Sequence, residues 1–148
     1  MNKVFNTPFE TGLRLLLILY TANSSGMSID RLAALDFMTL YGKDFDISDS
    51  NLNGINGFNF SELPTRREIC MRSIKEFALD GLVDVKQAKT GFKYKISKAG
   101  RQYVETLNSD YAKQYVSALQ KVLDAFGNKS DAALIKEINS KAVQVLRR

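Results

Sequence analysis

Apolar positions crowd almost every side of the segment that follows Thr7-Pro8-Phe9-Glu10: Leu13, Leu15, Leu16, Leu17, Ile18 and Leu19 fall within one short stretch. A helix that is apolar all round belongs between other elements and not on a surface. Its start is well marked, since Thr7 can cap, Pro8 suits the first helical position and Glu10 can complete a capping box. The spacing predicts a core helix from about Pro8 to Ala22. The apolar run Leu13 to Tyr20 contains Arg14 and is far shorter than the roughly 20 residues a membrane helix needs.

After the Asn23-Ser24-Ser25-Gly26 turn, Ser28 can cap a second helix that runs to about Tyr41 and ends at Gly42. Leu32, Leu35 and either Phe37 or Met38 turn inward. Lys43 to Pro64 then reads as a long Asp/Asn/Ser/Gly-rich loop carrying Phe45, Ile47, Leu52, Ile55, Phe58 and Phe60. A loop this long either packs down through those apolar residues or meets a partner with them. Asp49-Ser50-Asn51-Leu52-Asn53-Gly54 matches the opening of an EF-hand calcium loop, but Phe60 stands where the bidentate carboxylate is required. We read it as an Asn/Gly turn cluster.

Thr65-Arg66-Arg67-Glu68 repeats the capping-box pattern and predicts a third helix to about Asp80, closed by Gly81. Ile69, Ile74, Phe77 and Ala78 form much of its inner face, and Arg67, Met71, Arg72 and Lys75 its outer one. Leu82 to Val85 and Phe92 to Ile96 alternate like strands and are joined by Gln87 to Gly91 as a hairpin. A third helix followed at once by a two-stranded wing is the plan of the winged helix-turn-helix. Further helices follow over roughly Lys98 to Leu107, from a capping Asp110 to Phe126, and from about Asp131 to Arg147. The fold class expected is mainly α with a small β-hairpin (α+β): a winged helix-turn-helix with additional C-terminal helices. Residues 1–127 would form the winged-helix domain with its helical extension. Residues 128–148 would form a C-terminal amphipathic helix, packed on the same domain or on a partner.

Composition narrows the chemistry. Of 148 residues none is histidine and one, Cys70, is cysteine. A Ser-His-Asp triad, a Cys-His nucleophile and a His or Cys zinc site are thereby excluded within one copy. Cys70 sits between Ile69 and Met71, where a small buried hydrophobe is expected over a reactive thiol. No signal-peptide pattern opens the chain, and a reducing, cytoplasmic compartment fits. No Gly-rich phosphate loop is present, so no cofactor is expected. An enzyme would need a metal held by carboxylates such as Asp44, Asp46 and Asp49, which ranks behind any binding role.

The net charge of +5 permits nucleic-acid or acidic-protein partners without selecting either. Its placement is more informative. Arg66, Arg67, Arg72 and Lys75 on the third helix, with Lys86, Lys89, Lys93 and Lys95 on the wing, are the candidate nucleic-acid contacts. Glu68, Glu76, Asp80 and Asp84 interrupt that charge, and winged helices also serve as protein-docking modules. Asn6, Thr7, Pro8, Phe9 and Glu10 are the candidate partner contacts, although capping alone explains Thr7, Pro8 and Glu10.

Phe5 through Arg14, then Leu35-Asp36-Phe37, then Arg66-Arg67-Glu68 with Gly81-Leu82-Val83, together resemble the middle-component-2 family of bacterial ABC-three-component systems. The resemblance continues through Tyr94, Ala99-Gly100 and Ser109-Asp110-Tyr111-Ala112, and covers about residues 4 to 127. It implies a non-catalytic adaptor whose partners are an SMC- or Rad50-like ATPase and an effector, often a nuclease. It is similar in genetic setting to the middle subunit of Lamassu anti-phage complexes. The expected function is therefore an accessory subunit of an anti-phage or anti-plasmid defence complex, with ATP bound by the partner. The alternative is a free-standing winged-helix transcriptional regulator, which would form a homodimer and read specific DNA.

Overall fold

The computed structural model describes residues 7–47, 52 and 63–146. Among these, six α-helices and one antiparallel hairpin make a mainly helical α+β arrangement. The helices are α1 Pro8–Ala22, α2 Ile29–Leu40, α3 Leu63–Leu79, α4 Lys98–Val104, α5 Asp110–Phe126 and α6 Asp131–Leu146. The strands β1 Val83–Ala88 and β2 Gly91–Ile96 lie between α3 and α4.

The apolar crowding of α1 makes it central, and it packs against α2, α3, α4, α5 and β2. Leu15, Leu16 and Ile18 are wholly buried. The Thr7 hydroxyl accepts from the Glu10 N–H at 3.2 Å, Pro8 fills the first turn, and Asn23 closes the helix in the left-handed region. Gly12 permits the approach of α3: a β-carbon there would stand 2.3 Å from Cε1 of Phe77.

Ser28 caps α2 by accepting from the Arg31 N–H. Leu32, Leu35, Phe37 and Met38 are all buried, so both of the alternative inward residues are used. The α-helix ends at Leu40 with Tyr41 as its C-cap, next to Gly42 as the sequence implies. The chain turns directly into a short 3-10 helix, Gly42–Phe45, that ends at Asp46 in the left-handed region. Phe45 is buried with its ring 6.3 Å from Phe37 and 6.4 Å from Phe126, and the Leu52 N–H donates to the Leu40 carbonyl. The described part of the long loop thus packs down. Asp49 to Asn51, Asn53, Gly54, Ile55, Phe58 and Phe60 lie outside the described residues.

Four boundaries differ from the sequence pattern. The helix α3 starts at Leu63, so Thr65 to Glu68 lie inside its first turns and do not cap it. Pro64 falls where a missing N–H costs no intrahelical bond, which lets the helix begin earlier. The cap of α5 is Ser109, whose hydroxyl accepts from the Ala112 N–H, and Asp110 is the first helical residue. The hairpin ladder extends outward to Ala88↔Gly91, leaving Lys89-Thr90 as a two-residue turn with Gly91 at positive φ. The helix α4 is also shorter than its pattern and stops at Val104.

The hairpin is fastened along β2 and at its base. Met27 and Tyr94 exchange backbone hydrogen bonds of 2.9 and 2.8 Å. The start of α4 lies against the hairpin base, where a β-carbon on Gly100 would meet the Leu82 carbonyl at 2.2 Å. The last helix, α6, packs on α2 of the same chain, with Leu134 and Ile138 buried. Arg31 holds that junction by donating to the carbonyls of Gly127 and Lys129 and to Asp131, which also accepts from Ser28.

Candidate functional site

Inside the bundle, Arg14 is 2% exposed. Its Nε and one terminal nitrogen donate to the two oxygens of Asp36 at 2.9 and 3.1 Å, and the Tyr115 hydroxyl donates to the same carboxylate. Thr11 accepts from Arg14 one turn earlier. The node ties α1, α2 and α5 together, and Cys70 and Arg66 of α3 stand beside it. Burial works against the Arg14 cation, but the Asp36 carboxylate outweighs it and holds the pKa above its ordinary value. Burial pushes the Tyr115 phenol well up, and Asp36 adds to the effect. Tyr111 is pushed up to about 12, chiefly by burial. Burial likewise raises the Cys70 thiol, which keeps it neutral and unreactive. With every charge satisfied inside a packed interior, this node is an internal brace and offers no space for a substrate.

The N-terminal candidates divide. Thr7 and Pro8 are exposed while serving the helix start, and Glu10 is half-buried. Phe9 is 56% exposed, with its ring centroid 6.0 Å from that of Phe77. Asn6 lies outside the described residues.

The basic candidates on α3 and the hairpin do not form one face. Arg66 is half-buried, donates to the Tyr41 hydroxyl at 3.1 Å and lies over that ring. Arg67 donates through Nε to Asp30. Arg72 and Lys75 are exposed on one stripe of α3. On the hairpin, the register pairs Lys86 with Lys93 and Asp84 with Lys95 on one face. It pairs Val83 with Ile96, Val85 with Tyr94 and Gln87 with Phe92 on the other. That second face is the one turned toward α3. Lys86, Lys93 and Lys95 therefore stand on the far side of the ribbon from Lys75, and Lys89 sits in the turn at its tip. Lys93 is half-buried and close enough to Asp131 to help lower its pKa.

One surface feature was not singled out from the pattern. The α3-facing side of the hairpin is apolar beyond the reach of the core, and a groove of about 380 Å³ opens there, lined by Lys75, Ala78, Leu79, Val85, Phe92 and Tyr94. Leu79 is 87% exposed, Phe92 55% and Val85 47%. Single exposed apolar residues need no explanation, whereas here three are gathered around one groove. The available signal was the apolar alternation itself, which runs on through Val85 and Phe92 toward the turn. A second, wider cleft of about 530 Å³ runs between α1, the end of α4 and α5, past Tyr20, Val104, Leu107 and Val116.

Among the described residues no group of three or more acidic or thiol side chains is placed to hold a metal ion. Asp44 is half-buried and Asp46 exposed, whereas Asp49 lies outside the described residues. No helix among the described residues is long and apolar enough to cross a membrane.

The family model described as ABC-three component (ABC-3C) system Middle Component 2 matches residues 4–148. The match includes α6, whereas the sequence resemblance covers only about residues 4 to 127. No curated protein and no solved structure matches the chain.

Proposed function

Because the chain belongs to the ABC-three component system Middle Component 2 family, we propose that it is the non-catalytic accessory subunit of such a complex. It docks to an SMC- or Rad50-like ATPase in the cytoplasm and helps to restrain or license an effector such as a nuclease, in defence against phage or plasmid DNA. The family match across residues 4–148 carries this reading, since a middle component is by description one part of a multi-protein system. The exposed apolar groove beside the hairpin supports it, because such a surface suits a partner better than solvent. Affinity purification of the tagged chain from its native operon, followed by mass spectrometry, tests it. Recovery of a stoichiometric ABC-type ATPase is expected, and its absence from a well-expressed preparation would count against the reading.

The second reading is a winged-helix DNA-binding regulator. It is favoured by the order of three helices followed directly by a hairpin, with Lys86, Lys89, Lys93 and Lys95 on the far face and tip of the ribbon. Against it, Arg66 and Arg67 are engaged within the chain by Tyr41 and Asp30. The regulator requires a homodimer with sequence-dependent affinity. The accessory subunit requires at most weak, salt-sensitive DNA contact that is indifferent to sequence.

A further inference from the structure

We propose that the groove between α3 and the hairpin receives an extended, mainly apolar segment of the partner subunit, with an acidic residue on its groove-facing side, which adds a third strand to the outer edge of β1. The inference rests on the accessory-subunit reading and says which surface, and what chemistry, makes the contact.

Backbone geometry supplies the edge. Among the described residues β1 pairs with β2 alone, whereas the outer edge of β2 is already engaged through Met27 and Tyr94. Since the polar backbone groups of Tyr94 point to Met27, the facing pair Val85↔Tyr94 is a non-hydrogen-bonded one. The N–H and C=O of Val85, and by the two-residue repeat those of Gln87, therefore point outward from β1. Such an edge is a template for a strand from another chain.

Side chains supply the selectivity. Val85 sits on that edge with its side chain on the groove face, beside Phe92 and across from Leu79. An incoming strand that continues the pleat places every second residue over these apolar groups. The one charged residue that lines the groove is Lys75, and Arg72 stands one turn earlier on the same stripe of α3. Acidic residues border the same stripe, with Glu68 two turns before Lys75 and about 20° from its line and Glu76 four residues after Arg72, but neither lines the groove. The charge inside the groove is thus a single cation amid apolar surface, which fits a segment that brings an acidic residue to that point and disfavours a basic one. DNA fits poorly, because the groove floor offers apolar surface where phosphates need donors.

The test uses the full chain and the ATPase subunit that co-purifies with it. Binding affinity is measured for the wild type and for Leu79→Glu, Phe92→Glu, Lys75→Glu and, as a control outside the groove lining, Glu76→Lys. All four positions are exposed, so circular dichroism is expected to report an unchanged fold. The first three substitutions are expected to weaken binding by at least about tenfold and the control by less than about twofold. Hydrogen exchange of the complex is expected to protect the amides of Val85 and Gln87 relative to the free chain. A photo-cross-linker at Phe92 is expected to capture a partner segment whose groove-facing positions, every second residue, are apolar with an Asp or Glu among them. If the wild type binds the ATPase but the variants bind equally well, or cross-links run to DNA or to a second copy of this chain, the groove inference is overturned and the accessory role stands. If the wild type recovers no ATPase, both are overturned.

Discussion

Arg14 on α1 and Asp36 on α2 form a two-pronged ion pair in the interior, with donor–acceptor distances of 2.9 and 3.1 Å. A buried charge left without its partner is costly, whereas a pair replaced together by apolar groups of similar volume costs little or even stabilises. Arg14→Met is therefore expected to lower the unfolding free energy by about 3–5 kcal/mol. Arg14→Met with Asp36→Leu is expected to cost less than either single change. Urea unfolding of the single and double variants checks this, and simple additivity of the two losses would contradict it.

The same interior sets an alkaline limit. The folded-state pKa of Tyr111 is raised from 10.0 to about 12, and that of Tyr115 is raised well above 10.0, each chiefly by burial. For a raised pKa the stabilisation is fully present below the unfolded value and is lost as pH rises toward the folded one. The denaturation midpoint is expected to hold up to about pH 9 and to fall between about pH 10 and 12. Tyr111→Phe removes part of that slope. Tyr115→Phe removes more, but at neutral pH it also deprives Asp36 of a donor, at a cost of about 1–3 kcal/mol.

The junction of α6 responds at the other end of the scale. Burial tends to raise the Asp131 carboxyl, but the Ser28 hydroxyl and the Arg31 guanidinium outweigh it and hold the pKa below its ordinary 3.8. This stabilisation is present above the unfolded value and disappears as pH falls through the folded one. Because the pair is partly exposed, Asp131→Asn is expected to cost only about 0.5–1 kcal/mol at neutral pH. Amide exchange in the first turns of α6 is expected to quicken in that variant, with α1 and α3 unchanged.

Gly12 measures how closely α1 and α3 approach. A β-carbon there would lie 2.3, 2.5 and 2.8 Å from three ring atoms of Phe77, so the ring must move. Gly12→Ala places a better helix former at a helical site, yet it is expected to destabilise by about 1–3 kcal/mol through overpacking. A thermal melt distinguishes this from the gain that propensity alone would produce.

What was legible in the sequence was mostly local. Thr7-Pro8 and Ser28 mark helix starts by short-range hydrogen bonds, and α1 and α2 begin where those residues say. Thr65 misled for the same reason: its motif fits a cap, but Pro64 just before it allowed the helix to begin at Leu63. The hairpin followed from its alternation, although its ladder runs closer to the turn than the apolar residues alone implied. Arg14 registered only as an interruption in an apolar run, because its partner lies 22 residues away and only tertiary packing brings Asp36 to it. The separation of the basic residues was hidden similarly. Charge along the chain does not tell which side of a two-stranded ribbon faces α3, and the register puts Lys86, Lys93 and Lys95 on the side away from it. Leu79 and Phe92 each look like ordinary members of a helix and a strand until the fold sets them around one groove.

Sedimentation velocity of the purified chain, alone and mixed with the ATPase subunit from its operon, tests the central claim most directly. A heavier, stoichiometric species that forms with wild type and without added DNA is the predicted result. A chain that remains a homodimer beside the ATPase, and that shifts only on one particular duplex sequence, would contradict the account and establish the regulator in its place.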